Sequence, residues 1–300
     1  MKILISGASG LVGTHLIPTL LAKGHEVHKL VRKVSQSADE IQWDAEKGFV
    51  ESEQAKLESF DAVVHLAGDN VASENWSAEK KRKIRDSRVV GTRVLVDALK
   101  QTQNPPKHFV SASAIGFYGN RGDEVLTEDS AKGEGFLPEV CSAWEAEAQR
   151  AEEFGARTVC LRIGIVLAKD GGALEKMLTP FKLGVGGVVG SGKQWMSWIE
   201  LDDLIKIIHF ALKNGYLSGA INTVAPNPVT NEEFTKTLGK VLHRPTVLPI
   251  PTFAIKLMFG EMGETLLLQG ARVLPKRLQD AGFEFEISNL EAAMSHVLKD

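Results

Sequence analysis

The chain has 300 residues, 43% of them hydrophobic and 24% charged, a balance that excludes a disordered or low-complexity protein. A formal charge of −3 argues against capture of nucleic acid or an anionic membrane as its main activity, and no apolar run reaches the roughly 18 residues needed to span a bilayer. Cys141 and Cys160 are the only cysteines, too few for a disulfide framework or a CxxC metal site; with a strand starting at the N-terminus, the expectation is a cytoplasmic protein with no metal.

Ile3-Leu4-Ile5 reads as a buried strand, followed by glycines and a helix from about Leu11 to Ala22 that stops at Lys23-Gly24. Further strands are expected at 27–31, 41–43, 62–66, 109–112 and 159–166, with helices at about 77–102 and 137–154. Strands apolar on both faces, alternating with helices, indicate a parallel doubly wound α/β sheet, a Rossmann arrangement. Residues 168–200 are glycine-rich. A helix at about 201–214 and a strand at 219–224 are expected to return to the sheet, followed by a helix at 230–242 and several short ones after Pro249. The expected division is a nucleotide-binding domain over 1–167, completed by about 201–226, and a smaller interleaved substrate lobe over 168–200 and 227–300.

Gly7, Gly10 and Gly13 form a GxxGxxG turn between the first strand and its helix. Glycines there permit a tight turn, close backbone approach to a pyrophosphate and close helix–strand packing, while the helix N-terminus offers N–H groups. Gly7, Ser9, Gly10, Leu11, Val12 and Gly13 are therefore candidate cofactor residues; a glycine-rich turn with no ligand is the competing reading. NAD-binding chains usually carry an acidic residue after the second strand, to hold the ribose 2′-hydroxyl. Arg32-Lys33 stand there instead, and a guanidinium suits a 2′-phosphate, so NADP(H) is the expected cofactor, led by Arg32. Gly187–Gln194 nearly spells a P-loop, but Gln194 replaces the magnesium-binding hydroxyl and an aromatic segment follows in place of a helix.

These residues, with Asp61-Ala-Val-Val-His-Leu-Ala-Gly68, Gly91-Thr92, Phe109-Val-Ser-Ala-Ser-Ala-Ile-Gly-Phe-Tyr-Gly119 and Leu161–Val166, resemble the extended short-chain dehydrogenase/reductase superfamily, in its NAD-dependent epimerase/dehydratase group. Gly190–Asp203, Gly260-Glu-Met-Gly263, Arg272–Leu278 and Ala281-Gly-Phe283 resemble an atypical branch of that group with its own C-terminal domain, here about 249–296. The resemblance implies that Leu66, Ala67 and Gly68 line the adenosine–pyrophosphate path, with Asp69 or Asn70 reaching the nicotinamide ribose. It implies a small hydroxy or carbonyl substrate, with a nucleotide sugar as the family-level guess, and a homodimer paired through the helices at 77–102 and 137–154.

Active members of the superfamily use a Ser or Thr with a Tyr and Lys spaced YxxxK, a pair whose Lys cation lowers the Tyr pKa. The chain has two tyrosines, Tyr118 and Tyr216, and the residues four later are Gly122 and Ala220. Cys141 and Glu145 occupy the Tyr and Lys places, with Ser113 as the nearby hydroxyl after a one-residue shift; an ungapped match puts Ala114 there. Glu145 would raise the thiol pKa, leaving Cys141 neutral and a poor nucleophile, or itself act as a base. Two readings follow: an oxidoreductase or epimerase with Ser113, Cys141 and Glu145 as its machinery, and a non-catalytic NADP(H)-binding sensor or scaffold. Trp76, Trp195 and Trp198 are candidates for the substrate cleft, with core packing as the alternative. Asp202 and Asp203 are expected to cap a helix, His65 to be a satisfied strand residue, and Arg162 either an ion-pair partner or an anion site.

Overall fold

The structure is a computed structural model that describes residues 1–299. Seven strands form one parallel sheet: β1 (Lys2–Ser6), β2 (Glu26–Val31), β3 (Glu40–Gln42), β4 (Ala62–His65), β5 (His108–Ala114), β6 (Arg157–Ile163) and β7 (Gly219–Thr223). Their spatial order is β7-β6-β5-β4-β1-β2-β3, and every pairing is parallel. The order reverses between β1 and β4, the switch point at which open α/β sheets bind ligands beyond the carboxyl ends of the strands.

Alternation along the strands builds two cores. Ile3, Ile5, Val64, Val110 and Leu161 point to the face covered by helices α1 (Leu11–Ala22) and α5 (Leu201–Lys213). Leu4, Val63, Phe109 and Cys160 point to the opposite face, under α2 (Ala78–Lys100) and α3 (Phe136–Gln149). An Arg93–Glu147 ion pair ties α2 to α3 within the chain, and Lys100–Glu153 ties α2 to the 3-10 turn that follows α3.

The apolar run 159–166 does not form one strand. It breaks at Gly164, and Ile165–Leu167 leaves the sheet to pair with Trp198–Glu200. A Cβ at Gly164 would lie 2.5 Å from the Ser197 carbonyl oxygen, so the crossing requires glycine. A third core gathers Leu167, Trp198, Phe234 and Met294 between α4 (Gly172–Lys182), α6 (Asn231–Leu242) and α8 (Leu290–Val297). Before α8 lies α7 (Thr252–Leu267), which departs from helical geometry at Gly260. Residues Arg272–Val273 return to pair with Val125–Leu126.

Asp202 and Asp203 begin α5, as expected, but they do not cap it. Glu200 accepts hydrogen bonds from both of their amides, while the buried Asp203 carboxylate accepts from the amides of Glu286 and Ile287. The nearly P-loop stretch is a packing tongue: a Cβ at Gly187 would lie 1.6 Å from the Leu248 carbonyl oxygen.

Candidate functional site

The glycine turn is held from below and open above. Gly7 has a φ of +71°, and a Cβ there would lie 2.8 Å from the carbonyl carbon of Leu66; a Cβ at Gly13 would lie 2.4 Å from the Gly7 oxygen. Gly10 serves as the N-cap of α1 without a side-chain cap, and no acidic residue occupies the first turn. Ser9 and Gly10 are exposed, so uncapped amides and the positive end of the helix dipole face solvent at the switch point. Leu11 and Val12 are half-buried behind them.

Ser6 and His65 fix the turn opposite. Ser6 Oγ accepts from the amides of Leu66 (3.1 Å) and Ala67 (3.2 Å) and donates to His65 Nδ1 at 2.6 Å, so Nε2 carries the ring proton toward Thr92 Oγ1 at 2.9 Å. Burial pushes the His65 pKa down to about 4, and the ring is neutral at physiological pH. It is a satisfied strand residue that positions Leu66, Ala67 and Gly68. Arg32 follows β2, is exposed, and has no carboxylate within ion-pair distance among the described residues. The nearby Asp39 is engaged by Lys29 at 2.8 Å.

Beyond Gly68 lie two cations that sequence reasoning missed. Lys80, 2% exposed, holds Asp69 Oδ2 at 2.5 Å and Ser73 Oγ at 2.7 Å, which ties Asp69 to the loop leading to α2. Asn70 Oδ1 accepts from the amide of Ala72. Arg88 donates to the Ile84 carbonyl oxygen, lies over the Trp144 ring at 5.2 Å, and has its guanidinium carbon 3.1 Å from where a Gly68 Cβ would be. Among the described residues no carboxylate lies within ion-pair distance of it, and burial lowers its pKa against the charge of Asp69. Trp144 Nε1 beside it is buried without a hydrogen-bond partner. In sequence both cations look like surface charges of a polar helix.

The substituted dyad is brought together but closed. Ser113, Cys141 and Glu145 are 3%, 4% and 6% exposed. Glu145 accepts from Ser113 Oγ at 2.6 Å and forms a bidentate pair with Arg162, whose Nε and Nη2 lie 2.8 and 2.9 Å from its two oxygens. Arg162 also donates to Tyr118 Oη at 2.9 Å and stacks over the Phe117 ring at 3.5 Å. Burial works against the Arg162 cation, but the bonds to Glu145 and its charge prevail, and the Arg162 pKa is raised. Arg162 is thus an ion-pair partner that engages both Glu145 oxygens. Burial, and after it the Glu145 charge, pushes the Cys141 thiol up to about 12. Tyr118 is fully buried and donates to Asn222 Oδ1 at 2.6 Å, whereas Tyr216 is 99% exposed.

The tryptophans part company. Trp76 is half-buried, donates to the Val71 carbonyl oxygen and meets Phe136 edge-on at 5.2 Å. Trp195 donates to Asp123 and lies under the Arg272 guanidinium. Trp198 has no exposed surface and donates to the Asn227 carbonyl oxygen, so it is a core residue and not part of a cleft. A cavity of about 350 Å³ is lined by Asn120, Arg121, Lys132, Gly133, Glu134 and Gln269.

Comparison with known proteins places this geometry. Residues 3–223 match the NAD dependent epimerase/dehydratase family, and residues 250–297 match a C-terminal domain of unknown function, DUF1731. Epimerase family protein Mb2239 of Mycobacterium bovis is 40% identical over 97% of this chain and 96% of its own. Epimerase family protein YfhF of Bacillus subtilis is 37% identical over 100% of this chain and 99% of its own. The crystal structure of human epimerase family protein SDR39U1 (isoform 2) with NADPH superposes with a TM-score of 0.90 at 34% identity, covering 99% of both chains. The UDP-N-acetylglucosamine 4-epimerase of Bacillus cereus, at 18% identity and a TM-score of 0.76, shares the fold. The phosphate-binding turn, the seven-strand parallel sheet and the C-terminal domain therefore agree: the chain belongs to the NAD-dependent epimerase/dehydratase family.

Proposed function

We propose that the protein is an NADP(H)-dependent oxidoreductase that reduces a small carbonyl compound. The observation that carries this reading is the uncapped N-terminus of α1 at the switch point, with the unpaired Arg32 guanidinium at the end of the neighbouring strand. The residues fit the cofactor: Gly7, Ser9, Gly10, Leu11, Val12 and Gly13 would cradle its pyrophosphate, Arg32 would take the 2′-phosphate, and Leu66, Ala67 and Gly68 would wall the path. Arg88, a half-buried cation held beside Gly68, would take a further anionic group. The human relative crystallised with NADPH supports the choice.

NADPH, when bound, supplies a hydride to a carbonyl carbon, and the carbonyl oxygen then takes one proton. On this reading Cys141 is the proton source: burial keeps its thiol protonated near neutrality, and the alkoxide left by hydride transfer is basic enough to take the proton from it. Glu145 and Arg162 act as positioning residues that hold Ser113 and the floor of the site.

A second reading, NADP(H) binding without turnover, is favoured by the closure of Ser113, Cys141 and Glu145 against solvent. Stopped-flow oxidation of bound NADPH with a panel of aldehydes and ketones separates the two. Reduction is expected, and is expected to be lost in Cys141→Ala; tight NADPH binding with no consumption by any compound establishes the second reading. Arg32→Asp is expected to weaken NADPH at least ~10-fold relative to NADH; an unchanged ratio overturns the assignment of Arg32.

A further inference from the structure

We infer that the protein holds a divalent cation, with zinc the best match, between Glu200, Asp202 and His296, where helix α8 meets the start of α5. One ligand atom from each of these three residues lies within 4.8 Å of the others. One imidazole with two carboxylates is the mixed nitrogen and oxygen donor set that suits zinc. No local spacing announces the site, because His296 reaches the other two only through the packing of α8 on the third core. The inference does not depend on the cofactor reading above.

Glu200 is the anchor. It is 3% exposed and lines a cavity of about 240 Å³ together with Asp202, His296, His15 and Asp170. Its Oε2 accepts the amides of Asp202 and Asp203 at 2.7 and 3.2 Å, while Oε1 accepts no hydrogen bond among the described residues. A buried carboxylate oxygen without a donor is destabilising, and a cation satisfies it. Burial, and after it the Asp202 charge, holds the Glu200 carboxyl above its ordinary range, as expected of crowded negative charges. The two amide bonds fix this ligand before an ion arrives, which preorganises the site.

The imidazoles stand at ligand spacing. His296 Nε2 lies 3.4 Å from Asp202 Oδ2, and His15 Nε2 lies 3.4 Å from Asp170 Oδ2 on the same cavity. That is long for an N–H···O bond, which is usually about 2.9–3.0 Å. Two ligands bound at 2.0–2.1 Å to a tetrahedral ion stand about 3.3–3.4 Å apart. His15 Nδ1 donates to the Leu11 carbonyl oxygen at 2.9 Å, so its Nε2 keeps a lone pair, the form in which a histidine binds a metal. His15 and Asp170 thus add further donors to the cavity. Lys169 lines it as well, with its Nζ 3.5 Å from the Lys299 carbonyl oxygen. The Asp202 and His296 side chains are 59% and 49% exposed, so they can adjust to an ion that enters from solvent.

The test uses the full chain, stripped with a chelator and dialysed, and titrates Zn²⁺ by calorimetry and Co²⁺ by visible absorption. One equivalent of Zn²⁺ is expected to bind and to raise the melting temperature. Asp202→Asn and His296→Ala, at half-exposed positions, are each expected to weaken Zn²⁺ at least ~10-fold and to remove that rise. His296→Cys, which offers a thiolate in place of the imidazole, is expected to keep the ion and to add a sulfur-to-cobalt charge-transfer band. No binding by the parent chain overturns the inference, as does Zn²⁺ affinity that survives both Asp202→Asn and His296→Ala. So does binding that is lost only in His209→Ala, which places the ion at the His25–His209 pair, whose Nε2 atoms lie 3.5 Å apart.

Discussion

At the scale of residues, the buried pair of Glu145 and Arg162 governs the site. Their side chains are 7% and 5% exposed, so each charge depends on the other for the solvation it has lost. Arg162→Ala leaves a carboxylate and the Tyr118 hydroxyl without a cation, and is expected to lower stability by about 3–5 kcal/mol in urea unfolding. Arg162→Met combined with Glu145→Leu, which removes both charges, is expected to recover most of that loss; a double variant as unstable as the single one contradicts the account. His65 makes a second prediction. Its folded pKa of about 4 lies below its ordinary 6.5, so the unfolded chain binds the proton more readily. The stabilisation from the neutral ring is therefore present above pH 6.5 and lost as pH falls toward 4, by about 3 kcal/mol in all. The difference in urea midpoint between the parent and His65→Asn should shrink between pH 7.5 and pH 5, and a constant difference refutes it. The sequence exposed the glycine spacing and the lack of YxxxK because both are local. The partnership of Glu145 with Arg162 is not local: it requires α3 to lie across β6, and no pattern within either segment carries that information.

At the scale of elements, the turn between β1 and α1 separates binding from folding. Gly13 cannot carry a Cβ without striking the Gly7 oxygen at 2.4 Å, whereas a Cβ on Gly10 meets only that oxygen, at 3.3 Å, and otherwise faces the open side. Gly13→Ala is expected to lower the melting temperature by several degrees, a cost of about 1–3 kcal/mol. Gly10→Ala is expected to leave the melting temperature within ~2 °C but weaken NADPH at least ~10-fold, because it blocks backbone approach to a pyrophosphate. Thermal melts with a fluorescence titration decide both; intact NADPH affinity in Gly10→Ala places the cofactor elsewhere. Apolar periodicity made most elements legible, since strands buried on both faces and long amphipathic helices write strong patterns. It failed at Gly164, where an unbroken apolar run serves two sheets, and at Glu200, which caps a helix from within a strand.

At the scale of the whole molecule, the C-terminal segment is an integral part of the architecture. Residues 272–273 pair with 125–126, Arg277 donates to the Ala220 carbonyl oxygen of β7, and Phe283 packs against Phe210 of α5. Leu278 sits fully buried in the core on that face. A chain truncated after residue 249 is expected to expose this surface and to aggregate on expression; a soluble truncated chain with the parent's melting temperature would show the segment to be a dispensable appendage. The sequence pointed to a distinct C-terminal region through the family resemblance of Gly260–Gly263, Arg272–Leu278 and Ala281–Phe283. It pointed to interleaving in general but not to these contacts, because contacts between segments so distant in the chain leave no periodic trace.

The placement of β7 bears on how the protein is made. Synthesis runs from the N-terminus, so β6 leaves the ribosome well before the strand that covers its outer edge. Until residues 219–223 arrive, β6 offers an unpaired row of amides and carbonyls beside the apolar Val159-Cys160-Leu161. The nascent chain therefore passes through an interval in which six of its seven sheet strands have emerged and one edge is adhesive. Chaperone occupancy on stalled chains should peak between those two points of elongation, and fall once β7 has emerged.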